Sequence, residues 1–294
     1  MATLKKLSDK FAQLFLHPSS VITTSAEGDY AIKLRKCNQL LNLIGIEHIT
    51  QVKRLTLTGE INGTDLAVIK KMKQLEYLDI QHAQIIPAPT SIFPLHKNRI
   101  GKHFFLGNQQ LQSLLLPDSI TEIADSAFAG CYNLTHIHLP QKLILIGSQA
   151  FTQTGITEIS IPNTVTHIGE NAFLQCRQLQ TLRFEDGGQS MEWTGLGFAG
   201  CPISHLYIGR NLNDDDFCEF ENPSTLQQVT IGSAVSQVNI YLGENLKELI
   251  CLCPTPPSGN FQIPEHCVIK IPSAYYRNYW IHPVWGEMNL KVME

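Results

Sequence analysis

A β-rich α/β solenoid, wound right-handed from repeats of about 23 residues, is the fold class this sequence predicts. Three observations carry that expectation. Leu111, Leu134, Ile156, Leu179, Ile203 and Leu226 are 23, 22, 23, 24 and 23 residues apart, and a fixed period in this range marks a solenoid. Each of these residues opens a run of the form L-x-x-L-x-L. In the central copies a proline, an I-G pair and an A-F pair then follow at constant offsets, as in ITEISIPNTVTHIGENAFLQC from Ile156 to Cys176.

The N-terminal region, residues 1–50, is expected to be a helical cap. Leu4, Leu7, Phe11 and Leu14 fall on one helical face, and Leu34, Cys37, Leu40, Leu41 and Ile44 repeat the spacing before Gly45. A solenoid needs such a cover because its terminal strand edge is otherwise exposed. The first 20 residues contain three lysines but neither a continuous apolar run nor a small-residue cleavage site, so no export signal is expected in them.

The solenoid is expected over residues 51–252. Val52-x-x-Leu55-x-Leu57 and Leu75-x-x-Leu78-x-Ile80 are its first copies, and Thr64 or Asp65 is expected to cap a short helix between them. Ile100-Gly101 through Phe105 aligns with Ile168-Gly169 through Phe173, so the longer step from Leu75 to Leu111 is one repeat with an insertion at about residues 83–96. Within the central repeat, Ile156, Ile159 and Ile161 point inward and Pro162 ends the strand. Val165 and Ile168 form a second short strand on the opposite wall, and Asn171-Ala172-Phe173 makes a helical turn. Phe128, Phe151, Phe173 and Phe198 should stack as a ladder. Cys131, Cys176 and Cys201 share one repeat position and are expected as buried thiols; disulfides between turns are the alternative.

After Phe198 the A-F turn is lost, but the strands recur at Ile203, Leu226 and Leu246. Residues 253–294 are expected to form an aromatic C-terminal cap. It opens at the prolines 254, 256 and 257, continues with a strand at Ile269-x-Ile271 and a helix capped by Ser273 that carries Tyr275, Tyr276, Tyr279 and Trp280, and ends with Trp285 and a last strand at Leu290-Lys291-Val292.

This unit resembles the BspA-type leucine-rich repeat, found on many surface proteins of gut and oral bacteria. The closest copies are 111–133, 134–155 and 156–178, and the resemblance spans about residues 50–294. It implies a non-enzymatic binding or adhesion module, secreted or held at the cell surface, and some members are similar to adhesins for host matrix proteins. Residues 1–30 depart from it, because exported members start with a signal peptide.

Composition narrows the partner. Charged residues are only 16% of the chain and the net charge is −4, so there is no electrostatic footprint for nucleic acid or an anionic membrane. No stretch approaches the length of a membrane span, so no membrane insertion is expected. No cofactor is expected either: there is no phosphate loop, no G-x-S-x-G and no H-E-x-x-H. Asp214-Asp215-Asp216 lacks the rest of a calcium loop and is expected as a solvated turn.

Strand geometry supplies the candidate site. In L-x-x-L-x-L the third and fifth residues face outward. Neighbouring strands lie about 4.8 Å apart, so His136, His138, Glu158, Arg183, His205 and Tyr207 should share one patch. Tyr and Arg are frequent binding anchors, and the expected partner is a protein or a glycan, bound by a monomer. Two other functions fit the same residues. One is a metal-dependent hydrolase in which His136, His138 and Glu158 approach a zinc ligand set; the other is a structural spacer with no ligand.

Overall fold

The computed structural model of the 294-residue chain describes residues 21–24, 27–87, 98–187, 191–193, 197–211, 223–240, 242–259 and 262–294. In chain order the first strands are β1 (Val21–Thr23), β2 (Asp29–Leu34), β3 (Arg54–Ile61), β4 (Tyr77–Asp79), β5 (Ala83–Ile85), β6 (Arg99–Ile100), β7 (Ser113–Leu115), β8 (Glu122–Ile123), β9 (His136–His138) and β10 (Leu145–Ile146). They continue with β11 (Glu158–Ile161), β12 (His167–Ile168), β13 (Thr181–Phe184), β14 (Glu192–Trp193), β15 (His205–Ile208), β16 (Gln228–Ile231), β17 (Glu248–Cys251), β18 (Val268–Pro272) and β19 (Leu290–Met293). The helices are short: α1 (Leu40–Ile44), α2 (Gly63–Ile69) and α3 (Tyr276–Trp280). The chain divides into two compact units. One comprises the described residues up to Arg99 with Gln110–Ser119, and the other Ile100–Gln109 with Ile120–Glu294.

In the first unit β2, β3, β4 and β7 form a parallel ladder, with β1 antiparallel on β2 and β5 parallel to β3. The described part of the predicted helical cap is therefore partly strand. Ile32 and Leu34 are buried at 2% and 1% exposure while Ala31 and Lys33, which alternate with them, are exposed, a period of two. The helical stripe mixed the end of this strand with a helix of only five residues, in which Leu41 is 38% exposed. The cap of α2 also differs from expectation. Asn62 caps it, accepting from the Thr64 and Asp65 amides, and the Asp65 carboxylate returns the bond to the Asn62 amide at 3.2 Å. Asp65 is itself buried and also accepts from Asn38 N at 2.9 Å and Leu40 N at 3.2 Å, which fixes the loop into α1. The stretch expected as an insertion begins as β5, with Ala83 and Ile85 buried against the core; residues 88–96 lie outside the described residues. So does Asp214-Asp215-Asp216.

The second unit is a parallel β-solenoid with strands on two walls. One sheet runs β11-β13-β15-β16-β17-β18-β19, the other β14-β12-β10-β8-β6. In the first sheet, residues alternate between core and outside, as in the buried Ile159 and Ile161 of β11. The other wall supplies Val165 and Ile168, both buried. The I-G pair has a steric origin: a Cβ added at Gly169 would lie 2.5 Å from the amide nitrogen of Ser148 in the preceding turn. The Asn171-Ala172-Phe173 segment is a turn rather than helix, because Asn171 takes φ 57°.

The phenylalanine ladder is present and longer than expected. Phe105, Phe128, Phe151, Phe173 and Phe198 stack with centroids 5.9, 5.3, 5.1 and 4.9 Å apart and ring planes nearly parallel. Cys131, Cys176 and Cys201 are free buried thiols, each donating at 3.1 Å to the carbonyl of a ladder residue: Phe105, Phe151 and Phe173. Burial pushes the Cys131 thiol up to about 12, so it remains a protonated donor at neutral pH. Arg210 is an unexpected buried cation, 2% exposed, donating to the carbonyls of Pro162, Asn163 and Val165. Desolvation pulls its guanidinium down to about 10.

At the C-terminal end β18 and β19 continue the parallel ladder. The N-cap of α3 is Tyr275 rather than Ser273. Of the aromatic block only Tyr279 and Trp285 are buried, meeting edge to face at 5.3 Å, while Trp280 is 64% exposed. The Tyr279 hydroxyl donates to the Cys253 carbonyl at 3.2 Å.

Candidate functional site

The register of the long sheet decides which outward side chains meet. Glu158, Thr181, His205, Gln228 and Glu248 form one column, and Ser160, Arg183, Tyr207, Thr230, Ile250 and Lys270 the next. His136 and His138 are exposed on β9, which lies beside β11 outside its ladder.

Of the six residues expected to share a patch, the structure joins two directly. The Arg183 guanidinium carbon sits 3.6 Å from the centroid of the Tyr207 ring, one strand away. A third residue, Asp186, completes the cluster. Its carboxylate receives Arg183 Nη2 at 2.9 Å on one oxygen and the Tyr207 hydroxyl at 2.5 Å on the other. Partial burial, followed by the bond to and charge of Asp186, raises the Tyr207 pKa, so the phenol stays a donor. Gly232 makes this close approach sterically feasible: a Cβ there would lie 2.6 Å from Asp186 Oδ1 and 2.9 Å from the Tyr207 hydroxyl. Asp186 lies beyond the strand end, in the Glu185-Asp186-Gly187 turn that replaces the usual proline turn. That substitution was the one signal in the sequence that could have pointed to it.

The other four residues remain apart. The His136 and His205 Nδ1 atoms bond the hydroxyls of the residues before them, Thr135 at 2.7 Å and Ser204 at 2.9 Å. His205 is three strands from β9, roughly 14 Å by strand spacing. Glu158 stands between them in chain order but bonds neither histidine. Among the described residues no three His, Cys, Asp or Glu side chains converge on a position that could hold a metal ion. The first unit carries a second arrangement of the same chemistry. Arg54 lies over Tyr77 at 4.2 Å, and burial together with the neighbouring Asp79 raises the Tyr77 pKa.

Beside the columns of the second unit runs an open groove of about 760 Å³, lined by Gln180, Pro202, Ser204, Ser224, Thr225, Gln227, Asn245, Lys247 and His266. Its side chains come from the residue just before each outward column and from the turn leading into it. Sequence reasoning followed only the third and fifth positions and so missed it. No helix among the described residues is long and apolar enough to cross a membrane.

Comparison with known proteins agrees with the repeat. The chain matches the BspA type leucine rich repeat region in six copies, over residues 98–226 and 145–252. No curated protein matches it. Among solved structures it is similar to a leucine-rich repeat protein from Bacteroides ovatus (16% identity, 95% of this chain and 100% of that one, TM-score 0.30). It is also similar to the pneumococcal vaccine antigen PcpA (15% identity, 82% and 59%, TM-score 0.40). A leucine-rich repeat protein from Eubacterium ventriosum shows 12% identity over 87% and 80%, with a TM-score of 0.35. With its repeats matched over more than half its length and β11, β13, β15 and β16 paired in register at steps of 23 or 24 residues, the chain belongs to the BspA-type leucine-rich repeat family.

Proposed function

We propose that the chain is a non-enzymatic binding module that recognises a protein or glycan through the outward side of its parallel strands, acting as a monomer in adhesion at a bacterial cell surface or after secretion. The observation that carries this is the Arg183–Tyr207–Asp186 cluster. Its guanidinium is stacked and salt-bridged, and its phenol is already hydrogen-bonded. Side chains ordered before the encounter lose less rotamer freedom on binding, and Arg and Tyr are the residue types most often found to dominate interfaces. His136, His138, Glu158 and His205 extend the surface around it with exposed polar groups. Family membership supports the same reading, as does the low charge of the whole chain.

The test is a binding screen of the purified protein against extracellular-matrix proteins and mucin-type glycans. It runs beside a variant with His136, His138, Arg183 and Tyr207 changed to Ala and verified as folded. Expected is a ligand whose affinity falls by about 2 kcal/mol or more in the variant, roughly thirtyfold. A ligand bound equally by both proteins would move recognition off the strand face, and no ligand at all would favour the spacer.

A further inference from the structure

We propose that the groove beside β13, β15, β16, β17 and β18 is a subsite for an uncharged, linear glycan. This rests on the binding-module reading and narrows it to a ligand class and a place. The groove crosses five successive strands, and four steps of about 4.8 Å make it roughly 19 Å long, enough for several sugars rather than one. Each strand contributes at nearly the same position: Gln180, Ser204, Gln227 and Lys247 are equivalent residues of successive turns, and His266 stands at the far end.

The backbone beneath is spent. Ser204 N donates to Gln180 O, Gln227 N to Ser204 O, Lys247 N to Gln227 O and Val268 N to Lys247 O, all at 2.9–3.0 Å. A peptide therefore finds no strand edge to extend, and only side chains face the ligand. Those side chains hold unused hydrogen-bonding capacity. The Gln180 side-chain amide makes no hydrogen bond among the described residues, while its backbone N–H is spent on Thr157 O. Gln227 only accepts, from Lys247 Nζ at 3.4 Å, which leaves its NH₂ open. Asn245 only donates, to Ser224 O at 2.8 Å, which leaves its carbonyl open. An amide both donates and accepts, as a sugar hydroxyl does, so a comb of amides one turn apart matches a chain of hydroxyls. Lys247 is the sole Lys, Arg, Asp or Glu in the lining, too little to hold a polyanion against counterions. The Pro202 ring and the Lys247 stem supply apolar surface for the C–H faces of the sugars.

The experiment is calorimetric titration of the full chain with linear neutral hexasaccharides of glucose, mannose, galactose and N-acetylglucosamine. It is run at low and at molar salt. The same titrations are made on Gln180→Ala/Gln227→Ala, two exposed positions, and on Arg183→Ala/Tyr207→Ala, each verified as folded by its melting curve. The expected result is binding of at least one hexasaccharide, insensitive to salt because no charge pair is involved. It weakens roughly tenfold or more in the glutamine variant, the loss of one or two uncharged hydrogen bonds, and less in the Arg183/Tyr207 variant. Binding that the glutamine variant leaves unchanged overturns the inference, and so does the absence of binding to every hexasaccharide. If in that case a protein or peptide ligand is bound and is lost in the Arg183/Tyr207 variant, the binding-module reading stands and the glycan groove alone has failed.

Discussion

Replacing Phe173 with Ala tests whether the phenylalanine column is what holds the second unit together. Phe173 is fully buried and stacked on both sides, 5.1 Å from Phe151 and 4.9 Å from Phe198, with interplanar angles of 9° and 5°. Its own amide bonds Gly197 O at 2.8 Å, and this bond survives truncation, so the loss is confined to the ring. Phe→Ala in a core costs about 3–5 kcal/mol, and each offset-stacked pair accounts for about 0.5–1.5 kcal/mol of that. The flanking turns are closed by main-chain ladders that limit collapse into the cavity, which puts Phe173→Ala near the upper end. Phe105 is the internal control. It stands at the end of the column, with one stacked neighbour at 5.9 Å and an interplanar angle of 19°, and Phe104 edge to face at 4.7 Å. Phe105→Ala should therefore cost less, because it breaks one looser stacked contact and an edge contact to Phe104 where Phe173→Ala breaks two tight stacked ones. Urea denaturation followed by circular dichroism measures both, and a Phe151/Phe173 double-mutant cycle isolates the coupling, expected at about 0.5–1.5 kcal/mol. A cost under about 1 kcal/mol for Phe173→Ala, or equal costs at Phe173 and Phe105, would refute the column as the source of stability.

Three further outcomes follow from the same contacts. Asp65→Ala strips acceptors from the buried amides of Leu40 and Asn62 and from the part-buried amide of Asn38 and should destabilise the first unit by about 3 kcal/mol, with Asp65→Asn milder because one acceptor oxygen remains; urea melts would rank the two. Gln149 is exposed and holds φ 57°, so Gln149→Gly should be neutral or stabilising by up to about 1 kcal/mol, since the left-handed region costs an L-residue more than glycine, whereas a clear loss in melting temperature would contradict that. The Lys270 ammonium and the Gln228 amide hold the Glu248 carboxyl below its ordinary 4.5. A depressed acid stabilises the fold above its unfolded value and loses that contribution as pH falls through the folded one. Wild type should thus lose more stability than Glu248→Gln on acidification from pH about 5.5 through that range, by less than about 1 kcal/mol because the pair is partly exposed. A pH series of thermal melts on both proteins compares the slopes.

Much of the fold was legible because a solenoid repeats its instructions. The spacing from Leu111 to Leu226, the inward residues such as Ile159 and Leu182, and the stacked Phe128, Phe151, Phe173 and Phe198 all follow from a local pattern copied at constant period. Family membership is legible for the same reason. Where the period fails, so did the expectation. From Leu34 to Ile44 the apolar stripe joined the last residue of a strand to a five-residue helix across the loop between them, and apolar spacing over so few residues does not separate strand from helix. At α2 the cap went to Asn62, because Asp65 was drawn into a buried network with the loop before α1 that no local rule anticipates.

At the candidate site the division is the same. Sequence alone determined that residues 183 and 207 sit on one outward column one turn apart, since alternation along a strand and the repeat length require it. Only the tertiary structure decided that Asp186 from the following turn clamps both of them, that Gly232 leaves room for the clamp, and that Gln180, Gln227 and Asn245 border a groove. Apart from the local Arg183–Asp186 pair, the clamp on Tyr207, the approach of Gly232 and the groove join turns about 20 or more residues apart in the chain. Which side chain reaches across a turn depends on how the turns stack, and the repeat pattern carries no information on that.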